Sequence, residues 1–230
     1  MSHRNVLPDP SEKATEVRRM FDRISPRYDL VNRLISLGMD VRWRRRTVAA
    51  LGLPAGSLVA DLACGTADLC REINRCGCRA VGFDFSQGML AKAKTQAPLV
   101  LADIQQLPVP DEIFDGVVCG FALRNVSELP RFFEEVARVL SPGGRFSFLE
   151  VDRPGSKLLQ VGHRIWFDKA VPVIGGLLSD GGAYRYLPSS FSYLPSPQEM
   201  SRLLAAVGFV DLGRESLAGG AAQILTGAKR

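Results

Sequence analysis

From Ser57 onward, short apolar runs recur along the chain with amphipathic segments between most of them. The runs at 57–62, 79–84, 98–102, 113–119 and 145–151 read as strands, and helices are predicted near 66–75, 86–95 and 128–140. Strands that are apolar throughout, rather than alternating, are expected to be buried on both faces. The pattern therefore predicts an α/β domain whose mostly parallel sheet is wound on both sides by helices. Ser141-Pro142-Gly143-Gly144 is a turn that stops the helix ending at Leu140 and launches the fifth strand. Near the end, a helix at 197–207 precedes two short apolar segments, 208–214 and 221–228, whose small separation predicts an antiparallel hairpin at the sheet edge.

Upstream, Val17, Met20, Phe21 and Ile24 fall at helical spacing within 12–24, and Pro26 interrupts them. A second helical pattern runs through Tyr28, Leu30, Val31, Leu34, Ile35 and Leu37 to Gly38, and 41–51 gives a third. Residues 1–52 are thus an N-terminal tail and helical cap, and 53–230 form the main domain. The region 155–195 breaks the strand–helix rhythm. It carries a helical stretch around Leu158–Val173 and a loop through Gly181, Gly182, Tyr184 and Tyr186. An insertion of that length after the fifth strand predicts a lid or substrate wall.

Composition narrows the class more than the chemistry. A chain of 230 residues with 46% hydrophobic and 23% charged residues fits one globular domain with a full core. No run of about eighteen apolar residues occurs, and Met1–Ser11 lacks a signal peptide's apolar centre, so a cytoplasmic protein is expected. The net charge of +5 is too small to name a nucleic-acid partner. Arg42, Arg44, Arg45 and Arg46 around Trp43 read as a solvated helix face or as a patch for an anionic surface. Five cysteines without a C-x-x-C pair predict reduced thiols and no metal site.

The candidate chemistry lies at the strand ends. Leu58–Asp68 runs from strand through a turn of small residues (Ala63, Gly65) into a helix start led by Thr66. That geometry brings backbone N–H groups beside a ligand. Asp61, Asp84 and Asp103 each stand at or just past a strand end, where ligands bind in doubly wound sheets. The G-x-G-x-x-G spacing of dinucleotide folds is absent. An array of carboxylates suits a cationic nucleoside, and S-adenosylmethionine carries a sulfonium and an ammonium. Asp84 can accept from its ribose hydroxyls and Asp103 from its adenine amino group.

Several longer motifs carry a family resemblance. Met20-Phe21-Asp22-x-Ile24, Asp29-Leu-x-Asn32, Ile35-Ser36-x-Gly38 and Trp43-Arg44 open the chain, and Asp61-Leu-Ala-Cys-Gly65-Thr66-Ala-Asp68 forms the loop. Leu107-Pro-x-Pro110-Asp, Leu123-Arg124-Asn125-Val126, Leu140-x-Pro142-Gly143-Gly144 and Tyr184-Arg185-Tyr186-Leu187 follow. Together they resemble the quinone-biosynthesis C-methyltransferases over roughly residues 15–230. The resemblance implies a Rossmann-like, seven-stranded class I methyltransferase fold with S-adenosylmethionine as cofactor, held by Asp61, Ala63, Gly65, Thr66, Asp84, Phe85, Met89, Asp103, Ile104 and Gly120. Two positions depart from the family pattern. Ala67 stands where the loop usually has glycine, and a positive φ there would penalise its Cβ. Gly120 stands where a serine is common.

The resemblance further implies methyl transfer to a ring carbon of a reduced prenylated quinone precursor, demethylmenaquinol before the benzoquinol of ubiquinone synthesis. A phenol ring becomes a better carbon nucleophile when its hydroxyl ionises, so the site should favour the phenolate. Arg124 and Asn125, after the fourth strand, are the candidate catalytic residues, with Arg124 stabilising charge because arginine stays protonated. Tyr28, Asp29 and Asn32 from the cap and Tyr184, Arg185 and Tyr186 from the insertion are candidate substrate contacts. His163 and His3 fall in no such motif. The prenyl tail implies peripheral contact with the inner face of the cell membrane, with the arginines at 42–46 facing anionic lipid. A homo-oligomer is allowed, since nothing in the sequence decides the assembly. Methylation of a soluble metabolite, an RNA-binding module and a non-catalytic cofactor-binding scaffold remain as alternatives.

Overall fold

The computed structural model describes residues 13–152 and 190–230, together with Pro154, Trp166, Val171 and Val173. Three helices come first, α1 (Lys13–Ile24), α2 (Tyr28–Ile35) and α3 (Met39–Leu51). The sheet domain then runs β1 (Leu58–Leu62), α4 (Asp68–Arg75), β2 (Arg79–Asp84), α5 (Gln87–Leu90), β3 (Leu99–Leu101), β4 (Phe114–Gly120), α6 (Leu129–Val139) and β5 (Leu140–Val151). It closes with α7 (Pro197–Ala206), β6 (Phe209–Leu217) and β7 (Ala222–Lys229).

The seven strands form one sheet in the order β3-β2-β1-β4-β5-β7-β6. Strands β1 to β5 are parallel, and β7 inserts antiparallel between β5 and β6. This is the doubly wound, mostly parallel α/β sheet expected, with the C-terminal hairpin at its edge. The central strands are apolar because both their faces are covered. On one side Phe132 and Phe133 of α6 pack against Phe146 and Phe148 of β5, and the last two rings stack at 4.5 Å. On the other, Val48 and Leu51 of α3 join Leu69, Cys70 and Ile73 of α4 over Val59 and Val118.

Two boundaries differ from the sequence-based expectation, each for a local reason. The helix expected over 86–95 is one turn, Gln87–Leu90. Beyond it the amides of Lys92 and Ala93 bond three residues back, to Met89 and Leu90, tightening the turn. Arg71 then takes the Lys94 carbonyl at 3.2 Å, and the Thr95 hydroxyl accepts from the Ala97 amide. The turn expected at Ser141–Gly144 lies inside β5. Leu140 pairs with Phe114 and Arg145 with Gly116, so four residues bulge opposite Asp115.

Of the arginines at 42–46, Arg44 turns inward while Arg42, Arg45 and Arg46 stay exposed. Successive helix residues point about 100° apart. Arg44 is buried against Asp40, Arg45 reaches Glu72 at 3.5 Å, and Arg46 pairs with Glu215 on β6.

Candidate functional site

The strand order reverses between β1 and β4, so the loops leaving their carboxyl ends diverge and open a crevice. That crevice is a cleft of ≈ 270 Å³ lined from four strand ends. Ala63 and Gly65 follow β1, Asp84 and Phe85 end β2, Asp103, Ile104 and Gln105 follow β3, and Gly120 to Ala122 with Asn125 to Ser127 follow β4. Thr15, Arg18 and Phe21 of α1 and Tyr28 of α2 complete the lining from the cap, and Met89 of α5 joins them.

The turn after β1 is tight. Ala63, Gly65 and Ala67 all have positive φ, at 55°, 55° and 65°. At Gly65 the left-handed backbone and the ligand space make the same demand. A Cβ built there meets nothing within 4 Å, because the space beside it is the cleft it lines. Ala67 holds the conformation that makes a Cβ unfavourable, and its methyl is wholly buried. The Gly65 amide donates to Asp84 Oδ2 at 2.8 Å, and the Ser86 amide donates to Oδ1 at 2.8 Å. Burial nevertheless pushes the Asp84 carboxyl up to about 6.

Asp61 lies beneath this turn with no exposed surface. Its Oδ2 accepts from the Cys70 amide at 3.0 Å and the Cys70 thiol at 3.3 Å, while Oδ1 has no partner. Burial lifts its carboxyl to about 7, aided by the nearby Asp84. Two buried carboxylates with raised affinity for positive charge, one with an unused oxygen, fit a cationic ligand and disfavour a pyrophosphate. Asp103 is exposed and accepts from the Gln105 amide at 2.9 Å. The residues expected to hold S-adenosylmethionine fit it on these grounds. Among the described residues, no group of three or more His, Cys, Asp or Glu side chains could hold a metal.

Two aspartates tie the cap to the loops. Asp22 Oδ1 of α1 accepts from the Ser86 hydroxyl at 2.6 Å and the Gly88 amide at 3.0 Å. The approach needs glycine, since a Cβ at position 88 would lie 3.1 Å from the Asp22 Cα. On α2, Asp29 Oδ1 accepts from the Thr66 hydroxyl at 2.6 Å. Between these latches Tyr28 faces the cleft, its hydroxyl near Asn32 and pushed upward in pKa by burial.

On the opposite wall Phe121, at φ 59°, turns the chain into a 3-10 turn, Leu123–Asn125. Arg124 is buried there against Glu150 of β5, which also accepts from the Arg124 amide at 3.3 Å. Its Nε has no partner. The motif therefore directs Asn125 and Val126 into the cleft and sends Arg124 behind its wall. At Gly120 a Cβ would meet the Leu69 Cδ1 at 2.9 Å, so the glycine makes room for that side chain.

Of the residues singled out by sequence, Ala63, Gly65, Asp84, Phe85, Met89, Asp103, Ile104 and Gly120 line the cleft, as do Tyr28 and Asn125. Asp61, Thr66, Asp29, Asn32 and Arg124 stand behind them as supports. Tyr184, Arg185, Tyr186 and His163 lie outside the described residues, as does most of the 155–195 insertion. Sequence reasoning missed Thr15, Arg18, Gln105, Phe121, Ala122 and Ser127. The spacing of Thr15, Arg18 and Phe21, three residues apart on one helix face, was the available signal for the first two.

Comparison with known proteins agrees with this geometry. Residues 10–229 match the model of the ubiE/COQ5 methyltransferase family. The chain is 40% identical to the ubiquinone/menaquinone biosynthesis C-methyltransferase UbiE of Geobacter sulfurreducens, covering 95% of this chain and 90% of that one. It is 39% identical to the demethylmenaquinone methyltransferase of a Roseiflexus species, covering 98% of each. Among solved structures, a SAM-dependent methyltransferase of Thermotoga maritima, described as a possible histamine N-methyltransferase, superposes with a TM-score of 0.66 at 20% identity, over 92% of this chain and 99% of that one. That likeness speaks for the fold, and the match along nearly the whole sequence goes further: the chain belongs to the ubiE/COQ5 methyltransferase family.

Proposed function

We propose that this protein transfers a methyl group from S-adenosylmethionine to a ring carbon of a reduced prenylated quinone precursor, converting demethylmenaquinol to menaquinol. Family membership supports the reaction class. The observation that carries the substrate is the mixed lining of one cleft. Asp84 and Asp103 suit a cationic nucleoside, while Phe21, Tyr28, Phe121, Ala122 and Val126 offer an aromatic and aliphatic wall for a ring.

When bound, S-adenosylmethionine supplies an electrophilic methyl carbon on a sulfonium that leaves as a neutral thioether. Asp84 and Asp103 hold its ribose hydroxyls and adenine amino group, and Gly65 lets the main chain approach its amino-acid moiety. Asp61 and Thr66 shape that turn from below, and Phe85, Met89 and Ile104 give it apolar walls. Because the leaving group is neutral, the chain's own task is to align the ring carbon and to favour the ionised ring hydroxyl. Tyr28 stays protonated at neutral pH and donates to the substrate oxygen, with Asn32 fixing its hydroxyl. Asn125 provides a second polar contact from the turn that Arg124 and Glu150 hold. Arg124, paired with Glu150, acts from behind the wall by positioning that turn.

A prenylated substrate resides in a bilayer, and the outer face of the cap suits contact with one. Leu30 and Leu34 lie one turn apart on α2, with Leu37 just beyond, at 55%, 42% and 69% exposure. Val31 and Ile35 turn the opposite way, into the core. Among the described residues no helix is long and apolar enough to cross a membrane, so the contact is peripheral. Anionic liposomes should pellet the protein at low salt, and Leu30→Ser with Leu34→Ser should release it; a wild-type protein left in the supernatant removes this part.

The reaction is tested by incubating the purified protein with S-adenosylmethionine and each reduced precursor, naphthoquinol and benzoquinol, with products identified by mass and fragmentation. The expected result is one methyl on the naphthoquinol ring carbon. A methyl on oxygen, or no product from either quinol, overturns the proposal.

A further inference from the structure

The cleft has a cation that the reaction scheme leaves unused. Arg18 lines it from α1 and is, among the described residues, the only lysine or arginine to do so. It makes no ion pair or hydrogen bond with any of them, whereas Arg44, Arg71, Arg75, Arg124 and Arg138 are each paired. Its position is fixed by the helix. Thr15, Arg18 and Phe21 recur every third residue, share one face and all line the cleft, while the neighbouring Arg19 is exposed and does not. The cap that carries Arg18 is held down by the Asp22 and Asp29 hydrogen bonds, so the helix face bearing Arg18 is set over the cleft.

The two carboxylates of the lining, Asp84 and Asp103, already accept main-chain N–H bonds. Among the described residues the cleft offers no other partner for negative charge, since Arg124 is neutralised behind the wall by Glu150. An exposed planar guanidinium with no partner among the described residues is well suited to an oxyanion. We infer that Arg18 is the oxyanion-binding residue of this cleft. Resting on the proposed methyl transfer, the inference admits two sources of that chemistry, the α-carboxylate of the cofactor and the phenolate oxygen of the substrate.

Arg18→Gln, Arg18→Lys and Arg19→Gln would be prepared in the full chain, with circular dichroism to confirm folding. Calorimetric titration with S-adenosylhomocysteine and with 5′-methylthioadenosine, which lacks the amino-acid carboxylate, reads the first source. The pH profile of kcat with the quinol reads the second. A charge-assisted hydrogen bond predicts roughly a ten- to hundredfold effect. If the carboxylate is the partner, Arg18→Gln loses that factor with S-adenosylhomocysteine and stays within twofold with methylthioadenosine. If the phenolate is the partner, both affinities hold, kcat falls by that factor, and its acidic limb moves to higher pH. In either case Arg18→Lys recovers part of the loss and Arg19→Gln matches wild type. Arg18→Gln within twofold of wild type in both measurements overturns the inference, as does an equal loss in Arg19→Gln. A wild-type protein that binds S-adenosylhomocysteine but methylates no quinol removes the quinone proposal instead, and the carboxylate titration alone then decides for or against Arg18.

Discussion

Asp61→Asn should make the ligand-free protein more stable, and increasingly so as pH rises. The side chain is fully buried, one oxygen accepts from Cys70, and the other has no partner. Burial moves its pKa from the usual 3.8 to about 7. Between those values the folded protein keeps a proton that the unfolded chain has released. Stability therefore falls as pH rises through this window, and the deficit is complete above about pH 7. About three units at ~1.4 kcal/mol each set a ceiling near 4 kcal/mol, of which about half has accrued by pH 5.5. Asparagine carries no charge and keeps an acceptor for the Cys70 amide. Asp84 titrates in both proteins, and the loss of the neighbouring Asp61 charge eases its ionisation in the variant, which adds to the variant's advantage. Urea unfolding at pH 5.5 and pH 8 should show the variant's advantage widening by about 2 kcal/mol. S-adenosylmethionine, a cation, should stabilise the wild type at pH 8 far more than the variant. An advantage that is equal at both pH values would refute a carboxyl titrating in that window.

Three further changes probe the supports of the cleft. Arg124→Met leaves Glu150 buried without its partner and should cost about 3–5 kcal/mol in a urea melt, while Arg124→Met with Glu150→Leu should recover most of it. Ala67→Gly relieves about 1–2 kcal/mol of left-handed strain. It also gives up a buried methyl worth about 0.8 kcal/mol and frees the unfolded chain by about 0.4–1 kcal/mol. Stability should stay within about 1 kcal/mol of wild type, and a larger gain would mean that the Cβ clashes as well. Asp22→Ala removes the acceptor of Ser86 and Gly88, so it should cost about 1–3 kcal/mol in unfolding and raise the KM for S-adenosylmethionine more than it lowers kcat.

The sheet was readable because parallel strands covered on both faces must be apolar throughout: β1 to β4 start and end within a residue of their apolar runs, while β5 begins five residues early, across the bulge. The three strand-end aspartates were readable for the same reason, since a polar residue closing such a run has few other uses. The truncation of α5 was hidden: Ala91-Lys92-Ala93-Lys94 favours a helix locally, yet the Lys92 and Ala93 amides tighten onto Met89 and Leu90, and Arg71, twenty-odd residues away, takes the Lys94 carbonyl. The orientation of Arg124 was hidden too. Its motif marks the turn, but the carboxylate that draws it behind the wall is Glu150, on a strand whose other residues read as plain core. Arg18 escaped notice because a charged residue on an amphipathic helix ordinarily faces water, and only the placement of α1 over the sheet makes that face a wall.

The helical cap shares its hydrophobic cluster with the rest of the chain. Ile24, Val31 and Ile35 pack around Met89 of α5 and around Val171 from the insertion. The chain is therefore indivisible near residue 52, despite the change in pattern there. A fragment beginning at 53 would expose Met89 and leave the hydroxyls of Ser86 and Thr66 without their acceptors, and a fragment of the first 52 residues would have nothing to fold upon. A chimaera that takes its first three helices from one relative and its sheet from another must inherit position 89 and the loop around it with the helices, because that methionine is cap as much as it is sheet.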